Sequence, residues 1–321
     1  MIFSLARRLF LIVLTLFILS FVSYHILLRD PLNQELLTAH FHLGYFSYIR
    51  DVLQGNLGIS YNGGESLLTL ILTVLPPTVE LCITAILLAL LLGIPLGLIG
   101  AWNHQNILGK SIHAVSSLGL SVPVFWIAPL LLYFAALYHW EIAAVGQFNL
   151  LYEIKTVTGF ALIDVWFMEQ PYRIKVIQNV LQHLILPTLV LMISPTMEMT
   201  RLVQQRAEFL MRENFVKVAA TRGWSKFKIM RKLVLRNTLP LIVPQFPRIF
   251  TLVMAHCMLI ENVFGWPGIG RWLIDALAQE DYNAISASIM VIGLLIIAVN
   301  QLSDLVAFLF DPLHRKGWYA R

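Results

Sequence analysis

Apolar residues in this chain come in runs of about twenty, separated by shorter polar stretches, and the spacing within the runs is helical. Six runs stand out, at about 9–28, 78–102, 112–137, 183–200, 246–264 and 285–310. Each is long enough to cross the hydrocarbon core of a bilayer as a helix, and a helix satisfies its own backbone polar groups there. The pattern predicts an all-α membrane protein with six transmembrane helices, forming one domain over residues 1–321. Gly93, Pro95, Gly97 and Gly100 in the second run predict close approach by another helix. Pro123 and Pro129 predict kinks in the third.

Between the runs, polarity divides the chain by side. The stretch 29–77 carries His40, His42, Tyr45 and Tyr48, which suit an external or interfacial helix. The stretch 138–182 has charges of both signs and an apolar patch at 160–167, which predicts a small packed cap. By alternation both lie outside. The stretch 208–244 differs: it holds Arg212, Lys217, Arg222, Lys226, Lys228, Arg231, Lys232 and Arg236 against Glu208 and Glu213. Each such cation costs roughly 2.5–3.5 kcal/mol at a helix centre in lipid, so the stretch is a loop, and its basic excess puts it inside. Arg7 and Arg8 at one end of the chain, and His314, Arg315, Lys316 and Arg321 at the other, put both termini inside as well. Within the loop, Phe215, Val218 and Ala219 repeat at helical spacing, and Gly223 offers a stop. Ile229, Met230 and Leu233 begin a second pattern, which Pro240 and Pro244 interrupt. Two short amphipathic helices around Gly223, projecting toward a soluble partner, are the expectation.

Composition agrees with the pattern. Of 321 residues 58% are hydrophobic and 13% charged, with a mean hydropathy of +0.74; soluble domains carry about a quarter charged residues. The net charge of +5 does not point to nucleic acid, because the basic residues lie in the loops that face inward. Cys82 and Cys257 both fall in apolar runs and read as packing residues. The first run is too long for a signal-peptide core and lacks a small-residue cleavage site, so it reads as an uncleaved span.

Candidate chemistry is sparse. Gly109-Lys110-Ser111 resembles the end of a phosphate-binding loop, but His104 stands where that motif needs glycine and no strand precedes it. The histidines lack zinc-protease spacing, and no Gly-x-Ser-x-Gly turn occurs. Neither a catalytic constellation nor a cofactor is expected. Polar residues inside the runs carry more weight, because they are costly in lipid. Glu80, Ser116, Ser117, Glu198, Thr200, Asn300 and Asp304 together predict a wet path between helices. For single residues a plainer reading competes: Glu198 and Arg201, three apart, make a local pair, and Trp266-Pro267-Gly268-Ile269-Gly270 makes a rigid turn with an interfacial tryptophan. From the residues alone, a stand-alone channel or secondary transporter remains open beside a subunit driven by a partner.

The motifs narrow this. Asn56-Leu57-Gly58-Ile59-Ser60, Gly93-Ile94-Pro95-Leu96-Gly97, Ser121-Val122-Pro123-Val124-Phe125-Trp126 and the stretches Asn214–Ser225 and Leu235–Pro240 carry a resemblance, as does Glu261–Arg271 followed by Asp281-Tyr282, Asn300, Asp304 and Asp311-Pro312. The chain resembles the inner-membrane permease subunits of bacterial peptide-type ABC importers. Residues 151–155 and 158–164 are similar to the external segment of the Sap-type subgroup, associated with antimicrobial peptides and with polyamines such as putrescine. The resemblance implies a type I importer permease fold in the bacterial inner membrane. It implies three kinds of partner besides membrane lipid: a second, homologous permease, two ATP-binding subunits that hold all the ATPase activity, and a periplasmic solute-binding protein. It further implies that Ala219, Ala220, Gly223 and Ser225 belong to a helix coupling the permease to those ATPases. In a path for cationic substrates, Glu80 and Glu198 are the acidic candidates. The family's fullest pattern has Glu-Ala ahead of Ala219, where this chain has Lys217 and Val218.

A cysteine placed at Lys226 in a chain lacking Cys82 and Cys257 is expected to react with a membrane-impermeant maleimide in inside-out vesicles and not in intact cells. Labelling in intact cells instead would overturn the inward placement of the basic loop.

Overall fold

The computed structural model describes residues 2–31, 33–34, 43–61, 63–140, 142, 145–168 and 171–310. His40, His42, Asp311-Pro312 and the basic tail residues His314, Arg315, Lys316 and Arg321 lie outside the described residues. The described elements are helical apart from one isolated bridge between Ile59 and Ser66. In order they are α1 (Ile2–Leu27), α2 (Leu43–Leu53), α3 (Leu67–Trp102), α4 (Ile107–Gly119), α5 (Val124–Leu137), α6 (Ala161–Asp164), α7 (Arg173–Leu191), α8 (Ile193–Met211), α9 (Asn214–Thr221), α10 (Lys226–Ile229), α11 (Arg236–Ile242), α12 (Phe246–Val263), α13 (Ile269–Ala278) and α14 (Tyr282–Phe310). Among the described residues, five stretches are long and apolar enough to cross a membrane: 9–27, 67–102, 173–191, 243–263 and 282–307. A sixth arises if α4 and α5 count as one span.

The helices depart from the sequence pattern in four places. The second span begins at Leu67, not near 78, and Pro76 and Pro77 lie inside α3. At 36 residues α3 is about 54 Å long, well beyond a hydrocarbon core of about 30 Å, so it lies tilted or projects past the hydrocarbon. The third span is not a kinked rod: α4 and α5 meet at 97° across residues 120–123. Pro123 lacks an N–H and holds Val122 out of the helical region, which makes a break instead of a bend. The fourth span is α7, with Arg173 and Lys175 in its first turn; a new helix, α8, starts after Met192. Nor do Pro240 and Pro244 end the helix after Gly223. A π turn over Met230–Leu235, α11 and a 3-10 turn over Val243–Gln245 carry it past both. Side chains take up carbonyls along the way: Asn237 Nδ2 donates to Leu233 O (2.7 Å), Thr238 Oγ1 to Val234 O (2.8 Å) and Ser303 Oγ to Val243 O (2.9 Å).

The predicted close approach is real, and α8 is the helix that makes it. An added Cβ on Gly93 would sit 2.8 Å from Met199 Cβ, one on Gly97 2.6 Å from Val203 Cβ, and one on Gly100 2.8 Å from Gln204 Cδ. α3 therefore packs on α8 backbone to backbone over two turns. α1 lies against α14, where Ser23 and Ser286 each donate to the other's carbonyl (2.8 and 2.9 Å).

At the end of the bundle away from the basic loop, the expected cap is present. Ala161, Val165 and Met168 pack on Val176 and Val180 of α7. Asp164 organises the turn before it, accepting from the N–H groups of Val157, Thr158 and Gly159 and from Thr158 Oγ1. Burial pushes its carboxyl up, but those donors together outweigh burial and hold it below its ordinary value.

Gly97→Val should separate α3 from α8 and cost about 3 kcal/mol, the upper end of overpacking effects, read as a lower unfolding temperature of the detergent-solubilised chain. For Asp164, a depressed folded-state pKa means stabilisation present at neutral pH and lost as the pH falls through that folded value. Hydrogen-exchange protection factors of the amides at 157–159 should therefore hold through mildly acidic pH and drop below it. In Asp164→Asn they should be low throughout.

Candidate coupling loop and translocation path

The basic loop folds as a rigid corner. α9 ends in a Schellman turn: Trp224 N–H donates to Ala219 O (3.2 Å) and Gly223 N–H to Ala220 O (3.0 Å). The turn needs the left-handed backbone that Gly223 supplies at φ +78°. Ser225 then caps α10, its Oγ accepting from Lys228 N–H at 3.3 Å. Lys228 Nζ lies 4.3 Å above the Trp224 ring.

The four loop residues singled out from the sequence thus divide by role. Gly223 and Ser225 make the corner. Ala219 faces inward, 7% exposed, in a core with Val216, Ile229, Met230, Val234 and, from the bundle, Ala101, Ala207 and Leu210. Ala220 faces outward. Phe215, Val218 and Phe227 are exposed on the same loop, Phe227 by 66%. Because Ala101 ends α3 and Ala207 and Leu210 lie on the last turns of α8, the corner is bolted to the two helices that pack most closely.

Further along α8, polar residues face the interior. Glu198 forms an ion pair with Arg248 of α12, so its partner is not Arg201. The Glu198 side chain is 6% exposed and that of Arg248 61%. Thr188 on α7, Thr196, Thr200 and Arg201 on α8, and His256 on α12 each bury a polar atom for which the described residues offer no hydrogen-bond partner. Gln204 Nε2 donates to Gly109 O (3.2 Å) and to Glu208 Oε1 (2.9 Å). The Glu198–Arg248 pair thus bridges the seam between α8 and α12.

The opposite end of the bundle is built on carboxylates that bind backbone N–H groups. Glu261 is fully buried near the end of α12. Its Oε2 accepts from the N–H groups of Gly270 (2.8 Å) and Arg271 (3.1 Å). Its Oε1 accepts from Thr78 Oγ1 (2.6 Å), which in turn accepts from Ile269 N–H (2.8 Å). Thr78 and Glu261 together satisfy the first three N–H groups of α13, where a negative charge also meets the positive end of the helix dipole. Gly268 leaves room for this, since a Cβ there would lie 2.2 Å from Glu261 Oε1. Trp266 is not an interfacial residue: it is fully buried and donates Nε1–H to Pro77 O at 3.1 Å.

Glu80, on the same end of α3, has both oxygens engaged by the cap, one with Leu162 N–H (2.8 Å) and one with Gln147 Nε2 (2.7 Å). Asp281 caps α14 through Ala284 N–H (3.0 Å) and binds Ser60 Oγ (2.7 Å) and Tyr61 N–H (3.0 Å). The structure therefore does not bring Glu80 and Glu198 together: one holds the cap, the other sits in the seam. Reading polar residues within the apolar runs overlooks Glu261 and Arg248. The signal for Glu261 was an acid between apolar residues, followed by a glycine-rich turn able to aim N–H groups at it. Cys82 and Cys257 are unpaired and fully buried in the central core.

Residues 93–316 match the family described as binding-protein-dependent transport system inner membrane component. Over 321 residues, the whole of both chains, the sequence is 56% identical to the peptide transport system permease protein SapB of Haemophilus influenzae. It is 40% identical over 314 residues, 98% of each chain, to the putrescine export system permease protein SapB of Escherichia coli K12. To the di/tripeptide transport system permease protein DppB of Pseudomonas aeruginosa it is 32% identical over 269 residues, 84% of this chain and 79% of that one. With an all-helical bundle and a match that takes in the corner, the seam and the Glu261 turn, the chain belongs to the inner-membrane permease components of binding-protein-dependent ABC transport systems.

Proposed function

We propose that this permease subunit pairs with a second, homologous permease to line one path across the bacterial inner membrane. Two ATP-binding subunits dock on the corners of the pair, and a periplasmic solute-binding protein meets the capped end. The chain itself hydrolyses no ATP. Both termini and residues 208–244 face the cytoplasm, and residues 29–77 and 138–182 face the periplasm; the basic excess of the loop supports this orientation.

One observation carries the reading: the corner is rigid, exposes Phe215, Val218 and Ala220, and shares a core with the ends of α3 and α8. A push on the exposed face is therefore delivered to α8, and α8 carries the Glu198–Arg248 pair. Closure of the ATPases on ATP shifts the bundle between two arrangements, each favoured by a different nucleotide state. Ala219, Gly223 and Ser225 keep the corner in shape, and Ala220 with its exposed apolar neighbours makes the contact.

The transported species is a peptide, cationic peptides included, or a polyamine such as putrescine. The relatives' names supply these classes, which share an ammonium group. Glu198 is the acid in the seam suited to receive it, with the hydroxyls of Thr196 and Thr200 on the same helix. Glu80 serves the path indirectly, by holding the cap over its mouth.

Val218→Asp and Ala220→Arg change exposed side chains, so the chain should insert and fold normally. Each should reduce co-purification of the ATP-binding subunits with the tagged permease by about tenfold, the effect of losing about 1.4 kcal/mol at a contact. Full retention of those subunits in both variants would remove the corner from the docking role. Ala219→Arg does not discriminate, because it breaks the core of the corner itself.

A further inference from the structure

A cavity of about 470 Å³ opens between the loop end of α3 and the π turn that follows α10. Its α3 wall is formed by Pro95, Leu98 and Ile99, and its loop wall by Met230 and Leu235. Trp102 and Phe227 also line it, and Arg231 is its one charged lining residue. A soluble protein would bury such a groove or fill it. Here its location supplies an occupant.

Three features identify that occupant. First, the α3 wall continues an exposed apolar stripe: Leu87, Leu91, Pro95 and Ile99 recur every four residues on one face of the helix. An acyl chain lying along Leu87 and Leu91 has an uninterrupted apolar course into the cavity. Second, polarity changes at the level where the groove ends. Trp102 and Asn103 close α3 there, and Trp at such a boundary marks the headgroup region. Third, the charge at the groove is positive and of the kind that grips phosphate. The Arg231 guanidinium offers paired donors to phosphate oxygens. Its surroundings in the loop, with Lys228 and Lys232, add to the attraction for an anion. Phe227, Arg231 and Leu235 recur every four residues and so share one face toward this groove, and the π turn over Met230–Leu235 lies on its wall; such irregular turns often occur at functional positions.

From these we infer that the groove is a binding site for an anionic phospholipid, with an acyl chain between α3 and the π turn and the phosphate on Arg231. The lipid would then be wedged between the foot of α3 and the corner, and its presence would set how freely one moves against the other. The inference stands apart from the docking role, since no ATP-binding subunit is needed to form the groove.

The test uses the assembled complex, purified in detergent with its ATP-binding subunits and exchanged into mixed micelles of phosphatidylglycerol and phosphatidylcholine. Native mass spectrometry then counts lipids retained per permease chain. The expected result is retention of phosphatidylglycerol over phosphatidylcholine, about tenfold less phosphatidylglycerol in Arg231→Ala, and a similar loss in Leu98→Trp, which fills the cavity. Arg231 is exposed, so its loss should leave folding intact. A photocrosslinking residue at Phe227 should capture lipid. Equal retention of the two lipids, unchanged retention in both variants, or crosslinking of position 227 to the second permease would each overturn the site. Counting ATP-binding subunits in the same spectra separates that failure from a failure of the docking reading.

Discussion

A carboxylate with no access to water holds the end of this molecule farthest from the basic loop. Glu261 is fully buried, and burying a lone carboxylate is prohibitively costly unless hydrogen bonds replace its hydration. They do: two N–H groups of α13 and the Thr78 hydroxyl point at it. The arrangement binds three helices by one group, because Glu261 belongs to α12, Thr78 to α3 and the N–H groups to α13. It also explains the chain around it. Gly268 is small because any side chain would collide with the carboxylate, and Trp266 is buried because its indole N–H has Pro77 O to bind. Glu80, Asp164 and Asp281 repeat the device, each turning a helix start or loop of N–H groups into an anchor.

The other half of the molecule is organised by the absence of side chains. Gly93, Gly97 and Gly100 bring α3 and α8 into backbone contact, and without a strong hydrophobic drive between helices in lipid, such fit is what holds them. The corner after α8 is packed on the ends of this same pair. Anchors at one end, backbone-close packing in the middle and an attached corner at the other tie the molecule together along its length. Regular helix is interrupted at Met192 between α7 and α8, at residues 120–123 between α4 and α5, and at the π and 3-10 turns on either side of α11.

Most of this was legible in order of how local its cause is. The helical spans, the glycine face of α3 and the two helices around Gly223 depend on nearest neighbours along a helix, and apolar spacing and turn chemistry reveal them. The prolines misled because their effect depends on what surrounds them. Pro123 breaks a span outright, whereas Pro76, Pro77 and Pro240 are absorbed, some with side chains such as Asn237 and Thr238 taking up nearby carbonyls. The inward turn of Ala219, the pairing of Glu198 with Arg248 and the use of Glu80 in the cap are tertiary facts. Spacing placed Glu198 beside Arg201 on one helix, and nothing in the linear pattern marks a cation on α12 as nearer.

The Schellman turn at Gly223 has a consequence for how fast a neighbour can let go. A knuckle that is already hydrogen-bonded, capped and cored needs no ordering when something settles on it, so little of the gross attraction is lost to entropy. The contact can therefore be small and still specific. A small contact that forms without a folding step is also released without an unfolding one, which would suit the docking role proposed for the corner.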